Sequence, residues 1–203
     1  MDLPTPIDFY FDFSSPYAYL GSHLIGPVAK KHGRDVQWHP FMLGVAMKGE
    51  KTFPLTQYPK KGEYSRIDFD RTARRHNIPF NMPTDFPKAT LAASRGYLWI
   101  AQDDEAVAVA FAQKVFAAYF AENHDISDPE IVADIASDCG VDRSAFLEAI
   151  QSPAIKDAFK NSVEEIVSGK KVFGAPYFVV DGEAFWGADR VGQLDDWLAE
   201  GGW

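Results

Sequence analysis

The feature that most constrains this fold is a predicted strand that ends at two serines and is followed directly by a predicted helix. The run Phe9-Tyr10-Phe11-Asp12-Phe13 is apolar enough to be a buried strand, and Ser14-Ser15-Pro16 follows at once. Ser15 falls at the N-cap of a helix and Pro16 in its first turn, where the missing N–H costs nothing. Such a corner directs unpaired N–H groups and the positive end of the helix dipole at one point, where an anion or thiolate is stabilised. The alternative is that Ser15 only caps the helix.

A second segment, near the other end of the chain, predicts an antiparallel hairpin. Strands over Tyr177–Val180 and Glu183–Trp186 are joined by an Asp-Gly turn. Pro176 stands directly before the first strand, where it can adopt the cis form because the cis penalty is small for a bond to proline. After Gly187 closes the hairpin, a last helix is expected over 189–200.

The region between these segments reads as mostly helical. After the first helix comes a strand over 36–41, and a long loop is expected over 44–62, where Gly, Pro and Lys show little periodicity. Apolar spacing, caps and stop signals then predict helices over 64–76, 89–102, 105–122, 129–139, 143–151 and 153–168.

This order of elements resembles the α/β thioredoxin fold with an inserted all-helical domain, the DsbA-like arrangement. Residues 1–43 and 170–203 would form the thioredoxin-like domain and 44–169 the insertion. Redox members of that branch carry Cys-Pro-x-Cys at the corner, but here the four positions read Ser15-Pro16-Tyr17-Ala18. The single cysteine, Cys139, is expected to be a small apolar filler of a helix. One cysteine forms no internal disulfide, which excludes a dithiol oxidoreductase.

The full length resembles the glutathione-dependent 2-hydroxychromene-2-carboxylate isomerase family, whose nearest relatives are the kappa-class glutathione transferases. The likeness is carried by the strand and Ser-Pro-aromatic corner, by Val172-Phe173-Gly174-Ala175-Pro176, and by Phe185-Trp186-Gly187-Ala188-Asp189-Arg190. The segments at 60–64 and 77–80 extend it into the middle of the chain. These motifs separate the isomerases from the kappa transferases less well than they separate both from other thioredoxin folds.

The resemblance implies a glutathione site. Ser15 would hold the thiolate, and Ala175 before cis-Pro176 would pair with the cysteinyl backbone. An ionised thiol is needed because a neutral thiol is a poor nucleophile. Trp186 and Tyr17 would form walls of the pocket.

Three charged residues complete the implied site, each with a structural alternative. Asp189 would accept the γ-glutamyl ammonium or only cap the last helix, and Arg190 would assist or only form an ion pair. Lys61 would reach a glutathione carboxylate or lie solvated beside Lys60. The family often has an asparagine upstream of this lysine, and Thr52 stands at about that position here, so that contact is open.

The amino-acid composition and the net charge limit the kinds of partner and the location that this chain can have. The 203 residues are 46% hydrophobic, enough for a substantial core, and their net charge of -9 argues against nucleic acid as a partner. The absence of a long apolar run predicts no membrane segment, and residues 1–6 lack a secretory signal. A cytoplasmic location is therefore expected. The five histidines show no metal-ligand spacing, and the resemblance suggests a homodimer.

By the same resemblance, the activity is the interconversion of 2-hydroxychromene-2-carboxylate and trans-o-hydroxybenzylidenepyruvate, or of a related aromatic or unsaturated oxoacid. Glutathione would act as a cofactor that is regenerated. Two alternatives stay open at this point. One is kappa-type transferase or peroxidase activity, which consumes glutathione, and the other is a non-catalytic thioredoxin-fold binding module.

Overall fold

A four-stranded mixed sheet lies at the centre of the molecule, in a computed structural model that describes residues 4–203. The first three residues of the segment expected over 1–43 lie outside the described part. The strands are β1 (Ile7–Phe11), β2 (Val36–Pro40), β3 (Tyr177–Val180) and β4 (Glu183–Trp186), in the order β2-β1-β3-β4. β1 and β2 run parallel, joined by α1 (Pro16–Lys31), whereas β3 is antiparallel to both β1 and β4. The predicted α/β thioredoxin-like fold is confirmed.

One face of the sheet is rich in aromatic side chains. The ring of Phe9 lies 4.9 Å from Trp38 and 5.1 Å from Phe178, and all three side chains are buried. α1 covers this face together with a last helix, α9 (Val191–Glu200), whose Trp197 packs against Phe185. Alternate residues of each strand share a face, so Phe9 and Phe11 lie on the same side of the sheet, where both rings also contact Trp38.

Seven helices lie between β2 and β3. They are α2 (Leu43–Gly49), α3 (Pro59–His76), α4 (Leu91–Ile100), α5 (Glu105–Phe120), α6 (Pro129–Ser137), α7 (Arg143–Gln151) and α8 (Pro153–Glu164), followed by a π-helical segment (Glu165–Gly169). The ring of Phe116 on α5 lies 5.5 Å from Phe11 and 5.0 Å from Phe13. The core therefore continues from the sheet into these helices. Among residues 4–203, no helix combines the length and apolar character needed to span a bilayer.

The predicted loop over 44–62 is wrong, because α2 lies within it and α3 begins five residues earlier than expected. Tertiary contacts explain both differences. The Leu43 N–H at the start of α2 donates to the buried Asp12 carboxylate at 2.7 Å. Gly62 is buried against the backbone of Thr56, where a side chain would not fit. The predicted last helix also differs at its start: a 3-10 turn (Ala188–Arg190) precedes α9.

Candidate active site

The predicted corner between β1 and α1 has the expected geometry. Ser15 is the N-cap of α1, with extended backbone angles (φ -94°, ψ 113°), and Pro16 occupies the first turn. The Ala18 N–H donates to Ser15 Oγ at 3.1 Å. The cap thus satisfies one of the free N–H groups of the helix. The Ser15 side chain that caps α1 is thus also the predicted functional group.

The second predicted segment meets this corner directly. Ser15 Oγ donates a hydrogen bond to the carbonyl oxygen of Ala175 at 2.9 Å, across a separation of 160 residues. The Ala175-Pro176 peptide bond is cis, as the sequence predicts. Ser15 is 4% exposed and Ala175 9% exposed, so this contact lies just beneath the surface. The two motifs that the sequence analysis paired are therefore joined by one hydrogen bond.

Two glycines hold Pro176 in place. Gly21, on the buried side of α1, approaches the proline ring so closely that an added Cβ would lie 3.1 Å from Pro176 Cγ. Gly187 has a φ of 113°, a conformation that glycine adopts readily, and its N–H donates to the Pro176 carbonyl at 3.0 Å. The proline is thus fixed from the helix side and from the hairpin side.

A buried carboxylate, which the sequence analysis did not single out, supports the corner from beneath. Asp12 accepts hydrogen bonds from the Ser14 N–H (2.8 Å), Ser14 Oγ (2.9 Å), the Leu43 N–H (2.7 Å) and Thr90 Oγ1 (3.0 Å). Burial raises the pKa of Asp12, and the four donors act in the opposite direction. The sequence does contain a signal for this role, namely an acidic residue within the aromatic run over 9–13, because a buried acidic residue needs hydrogen-bond partners.

Tyr17 connects the corner to α3. Its hydroxyl donates to Asp68 Oδ2 at 2.8 Å, and its ring packs edge-on against Phe69 at 4.6 Å. Burial, followed by the hydrogen bond to Asp68, raises the pKa of Tyr17 well above its usual value, so the phenol stays protonated at neutral pH. Asp68 also pairs with Arg71. Tyr17 is half-buried next to Ser15, a position that suits the predicted role of a pocket wall.

Lys61 lies on the first turn of α3 and is exposed, with its ammonium 5.2 Å from the centre of the Tyr58 ring. It precedes Asp68 by seven residues, which corresponds to the same helix face and about 10 Å along the axis. An extended tripeptide spans at most about 10 Å, so this spacing suits a peptide with one end near Tyr17. Thr52 is exposed and its N–H donates to the Met47 carbonyl at 2.9 Å.

The hairpin places the remaining predicted residues beside the cis-proline. Trp186 is 57% exposed, and its indole packs against Gly174 and, at 5.0 Å between ring centres, against Phe173. It therefore supports the segment that leads into Ala175. The Asp189 carboxylate is exposed and pairs with Arg190 at 3.2 Å.

The alternative in which Asp189 caps the last helix is wrong. The 3-10 turn begins after Gly187, α9 begins after Arg190, and neither start has a side-chain cap. The Asp189 side chain instead lies against Gly187, where an added Cβ would collide with it. Its carboxylate is thus available at the surface near Pro176, whose carbonyl receives the Gly187 N–H.

The single cysteine lies away from these contacts. Cys139 is partly buried just after α6, and burial raises the pKa of its thiol. A raised pKa leaves less of this thiol ionised at neutral pH, and the thiolate is the reactive form. Among residues 4–203, no group of three or more His, Cys, Asp or Glu side chains is arranged to hold a metal ion. Of the predicted site residues, Ser15 is the one that lies both at the N-terminus of α1 and in contact with the cis-proline segment.

A thioredoxin-like sheet, a helical insertion and a cis-proline facing the first residue of the corner motif define a thioredoxin-fold protein of the DsbA-like class. The family model of the DSBA-like thioredoxin domain matches residues 6–199, and the chain belongs to that family.

Three comparisons refine this assignment. The chain is 26% identical to 2-hydroxychromene-2-carboxylate isomerase of Sphingobium xenophagum, over 96% of this chain and 98% of the relative. It is 25% identical to human glutathione S-transferase kappa 1, over 98% and 92% of the two chains. The solved structure of a 2-hydroxychromene-2-carboxylate isomerase superimposes with a TM-score of 0.86 at 26% identity, covering 96% of this chain and 94% of the other. The predicted resemblance to the isomerases and the kappa transferases is confirmed.

Proposed function

We propose that this protein is a glutathione-dependent isomerase that interconverts 2-hydroxychromene-2-carboxylate and trans-o-hydroxybenzylidenepyruvate, or a related pair of unsaturated oxoacids. The observation that carries the proposal is the Ser15 hydroxyl at the N-terminus of α1, hydrogen-bonded to Ala175 beside cis-Pro176. Full-length similarity to the isomerases supports it. A glutathione cofactor also fits the cytoplasmic location expected for a chain with one cysteine.

Ser15 would stabilise the glutathione thiolate. A hydrogen bond to a charged group contributes about 1.5–3 kcal/mol, and one pKa unit corresponds to about 1.4 kcal/mol. The hydroxyl would lower the thiol pKa by roughly one to two units, and the N-terminus of α1 adds a favourable field. Unlike a cysteine, a serine forms no mixed disulfide with the cofactor.

Glutathione, when bound, would supply a thiolate that acts as a reversible nucleophile. The form of the substrate that reacts would be the ring-opened one, in which the C–O bond of the hemiketal has broken to give a ketone and a phenol. Addition of the thiolate to the conjugated alkene carbon would move the π electrons onto the ketone oxygen and leave a single bond that can rotate, and loss of the thiolate would re-form the alkene in the other geometry.

The rest of the glutathione molecule would be held by the residues around the corner. Ala175 would pair with the cysteinyl backbone, and Pro176 and Trp186 would keep that segment in place. Asp189, with Arg190 beside it, would accept the γ-glutamyl ammonium, and Lys61 would bind a carboxylate at the other end. Together these contacts favour a tripeptide thiol. The homodimer implied by the resemblance stays a prediction.

Replacement of Ser15 tests the proposal. Ser15→Ala should lower kcat/KM with 2-hydroxychromene-2-carboxylate by roughly 10- to 150-fold, the equivalent of one charge-assisted hydrogen bond. Ser22→Ala is the matched control, because Ser22 is a buried serine on the same helix that bonds only to the carbonyl of Tyr19. Circular dichroism checks that both variants fold. Wild-type turnover in Ser15→Ala would refute the assigned role.

Kappa-type conjugation is the second candidate, because glutathione S-transferases of that class also match nearly the whole chain. Assays of free glutathione separate the two. Isomerisation leaves the glutathione concentration unchanged while substrate is converted, whereas conjugation or peroxide reduction depletes it in proportion to turnover. Depletion would replace the isomerase proposal by a transferase or peroxidase one. A lack of turnover with any electrophile would favour the binding module.

A further inference from the structure

The Ser15 hydroxyl has one proton, and in the structure that proton is directed at the carbonyl oxygen of Ala175. The Oγ–O distance is 2.9 Å, and Ser15 Oγ also accepts from the Ala18 N–H. A hydroxyl group can accept two hydrogen bonds but donate only one. Ser15 therefore cannot donate to a thiolate while it donates to Ala175.

Breaking the hydrogen bond from Ser15 to the Ala175 carbonyl would be costly if no other donor took its place. The residue is almost completely buried, and a buried carbonyl that loses its only donor keeps the full desolvation penalty. The segment that carries this carbonyl is also constrained, because the adjoining Pro176 packs against Gly21 and accepts a hydrogen bond from the Gly187 N–H. A second donor must therefore reach Ala175 O before the hydroxyl can turn away.

The backbone of Ala175 is ready to pair with an extended peptide. Its N–H forms no hydrogen bond within residues 4–203, and its carbonyl is bonded only by the Ser15 side chain. A peptide that runs antiparallel to this residue would accept from the N–H and donate to the carbonyl. An amide N–H supplied in this way would take the place of the Ser15 hydroxyl.

We propose that the amide N–H of the cysteinyl residue in glutathione displaces the Ser15 hydroxyl from Ala175 O, and that this exchange redirects the Ser15 proton to the sulfur. The inference rests on the proposed function and defines which thiols the site activates. Those are thiols borne by an N-acylated amino acid, whereas a simple alkyl thiol leaves Ser15 bonded to Ala175. No covalent bond changes at Ser15. Its hydroxyl rotates from Ala175 O towards the sulfur, Oγ continues to accept the hydrogen bond from the Ala18 N–H, and the proton of the thiol leaves to solvent.

Two ester analogues of glutathione test the exchange. In one, the N–H between γ-glutamate and the cysteine analogue is replaced by oxygen; in the other, the N–H before glycine is replaced. The thiol pKa of each compound is read from thiolate absorbance during pH titration, free and in the complex, because the ester oxygen itself alters the thiol pKa. Binding should lower the thiol pKa of the first analogue by about one unit less than that of glutathione, and that of the second by the same amount as glutathione.

Ser15→Ala gives the second arm. Without the hydroxyl, binding should shift the thiol pKa of glutathione and of both analogues equally, because the difference between the shifts depends on Ser15. Equal shifts for all three thiols in the wild-type protein would overturn the exchange, even if the first analogue bound more weakly. A glutathione complex with no thiolate signal would instead refute the proposed function itself. The wild-type comparison decides the inference even if Ser15→Ala does not fold.

Discussion

Four neutral donors surround the carboxylate of Asp12, which is fully buried three residues before Ser15. They come from Ser14, from the first residue of α2 and from Thr90 at the start of α4. Asp12 also accepts the Ser15 N–H through its backbone carbonyl at 2.9 Å. One acidic side chain thus fixes the serine corner relative to two helices of the insertion.

Asp12→Asn should lower the free energy of unfolding by about 1–3 kcal/mol, the cost of an unsatisfied buried polar group. An amide NH₂ that replaces one carboxylate oxygen must face a hydrogen-bond donor, most directly the Leu43 N–H. Urea denaturation measures the change. Asp70→Asn is the control, since Asp70 forms an exposed pair with Arg74 one helical turn away and should cost no more than about 0.5 kcal/mol. Equal costs for the two variants would contradict this role of Asp12.

For single residues, the sequence predicts the roles that depend on neighbours along the chain. It misses the roles that depend on contacts with residues far away in sequence. The N-cap role of Ser15 follows from neighbouring residues, which also permit the cis form of Pro176 that the resemblance implies. The role of Asp12 depends on Thr90, 78 residues away, and that of Asp68 on Tyr17, 51 residues away. The alternative that Asp189 only caps the last helix is also wrong, because the 3-10 turn and α9 both begin without a side-chain cap.

Two helical glycines, Gly96 within α4 and Gly192 in the first turn of α9, have opposite surroundings. Gly96 on α4 is buried, and an added Cβ would collide with the ring of Phe146 on α7. Gly192 on α9 has open space where a Cβ would be. α4 therefore needs its glycine for close packing, whereas α9 does not.

Alanine substitution should separate these two cases. Gly192→Ala should raise the free energy of unfolding by about 0.5–1 kcal/mol, because alanine loses less backbone entropy in a helix. Gly96→Ala gains the same propensity but overpacks the core, for a net loss of about 1–2 kcal/mol. Chemical denaturation of both variants measures the signs. A stabilised Gly96→Ala protein would mean that α4 and α7 pack less closely than described.

Helix boundaries show where sequence patterns fail at the scale of elements. The strands of the hairpin and the helix over 143–151 appear where the sequence predicts them. α2 and the first turn of α3 do not follow from periodicity, since Gly44, Gly49 and Gly62 weaken the helical pattern. Burial of Gly62 and the bond from Leu43 to Asp12 supply the stability that propensity lacks.

Across the whole molecule, three carboxylates join segments that are far apart in sequence. Asp181 in the hairpin turn pairs with Arg34, Asp195 on α9 pairs with Lys31 and His32, and Asp125 pairs with Lys88. Hydrogen bonds lower the pKa of all three carboxyls. At Asp181 they come from Thr5 and then Arg34, at Asp195 from Lys31 and then His32, and at Asp125, whose pKa falls to about 2, from Lys88 first. Because each folded-state pKa lies below the unfolded value, the stability they contribute is present at neutral pH and is lost on acidification.

Asp195 offers the clearest test of this pH dependence, because it joins α9 to the C-terminal end of α1, the helix that Ser15 caps. Lys31 Nζ lies 2.8 Å and His32 Nε2 2.6 Å from Asp195 Oδ1. Asp195→Asn removes the charge, so at pH 6 its Tm should lie about 2–4 °C below wild type, as expected for roughly 1 kcal/mol from a partly exposed ion pair.

The sign of the pH dependence distinguishes the ion pair from a loss of packing. Lys31, followed by His32, lowers the pKa of Asp195 from its ordinary value of 3.8, so the wild-type advantage is complete above that value and disappears as the pH falls through the lower folded-state pKa. Asparagine does not titrate. Thermal unfolding of both proteins between about pH 6 and pH 3 should therefore show Tm values that converge on acidification. A Tm gap of constant size would mean that Asp195 contributes through packing alone, and the charge link between α1 and α9 would be unsupported.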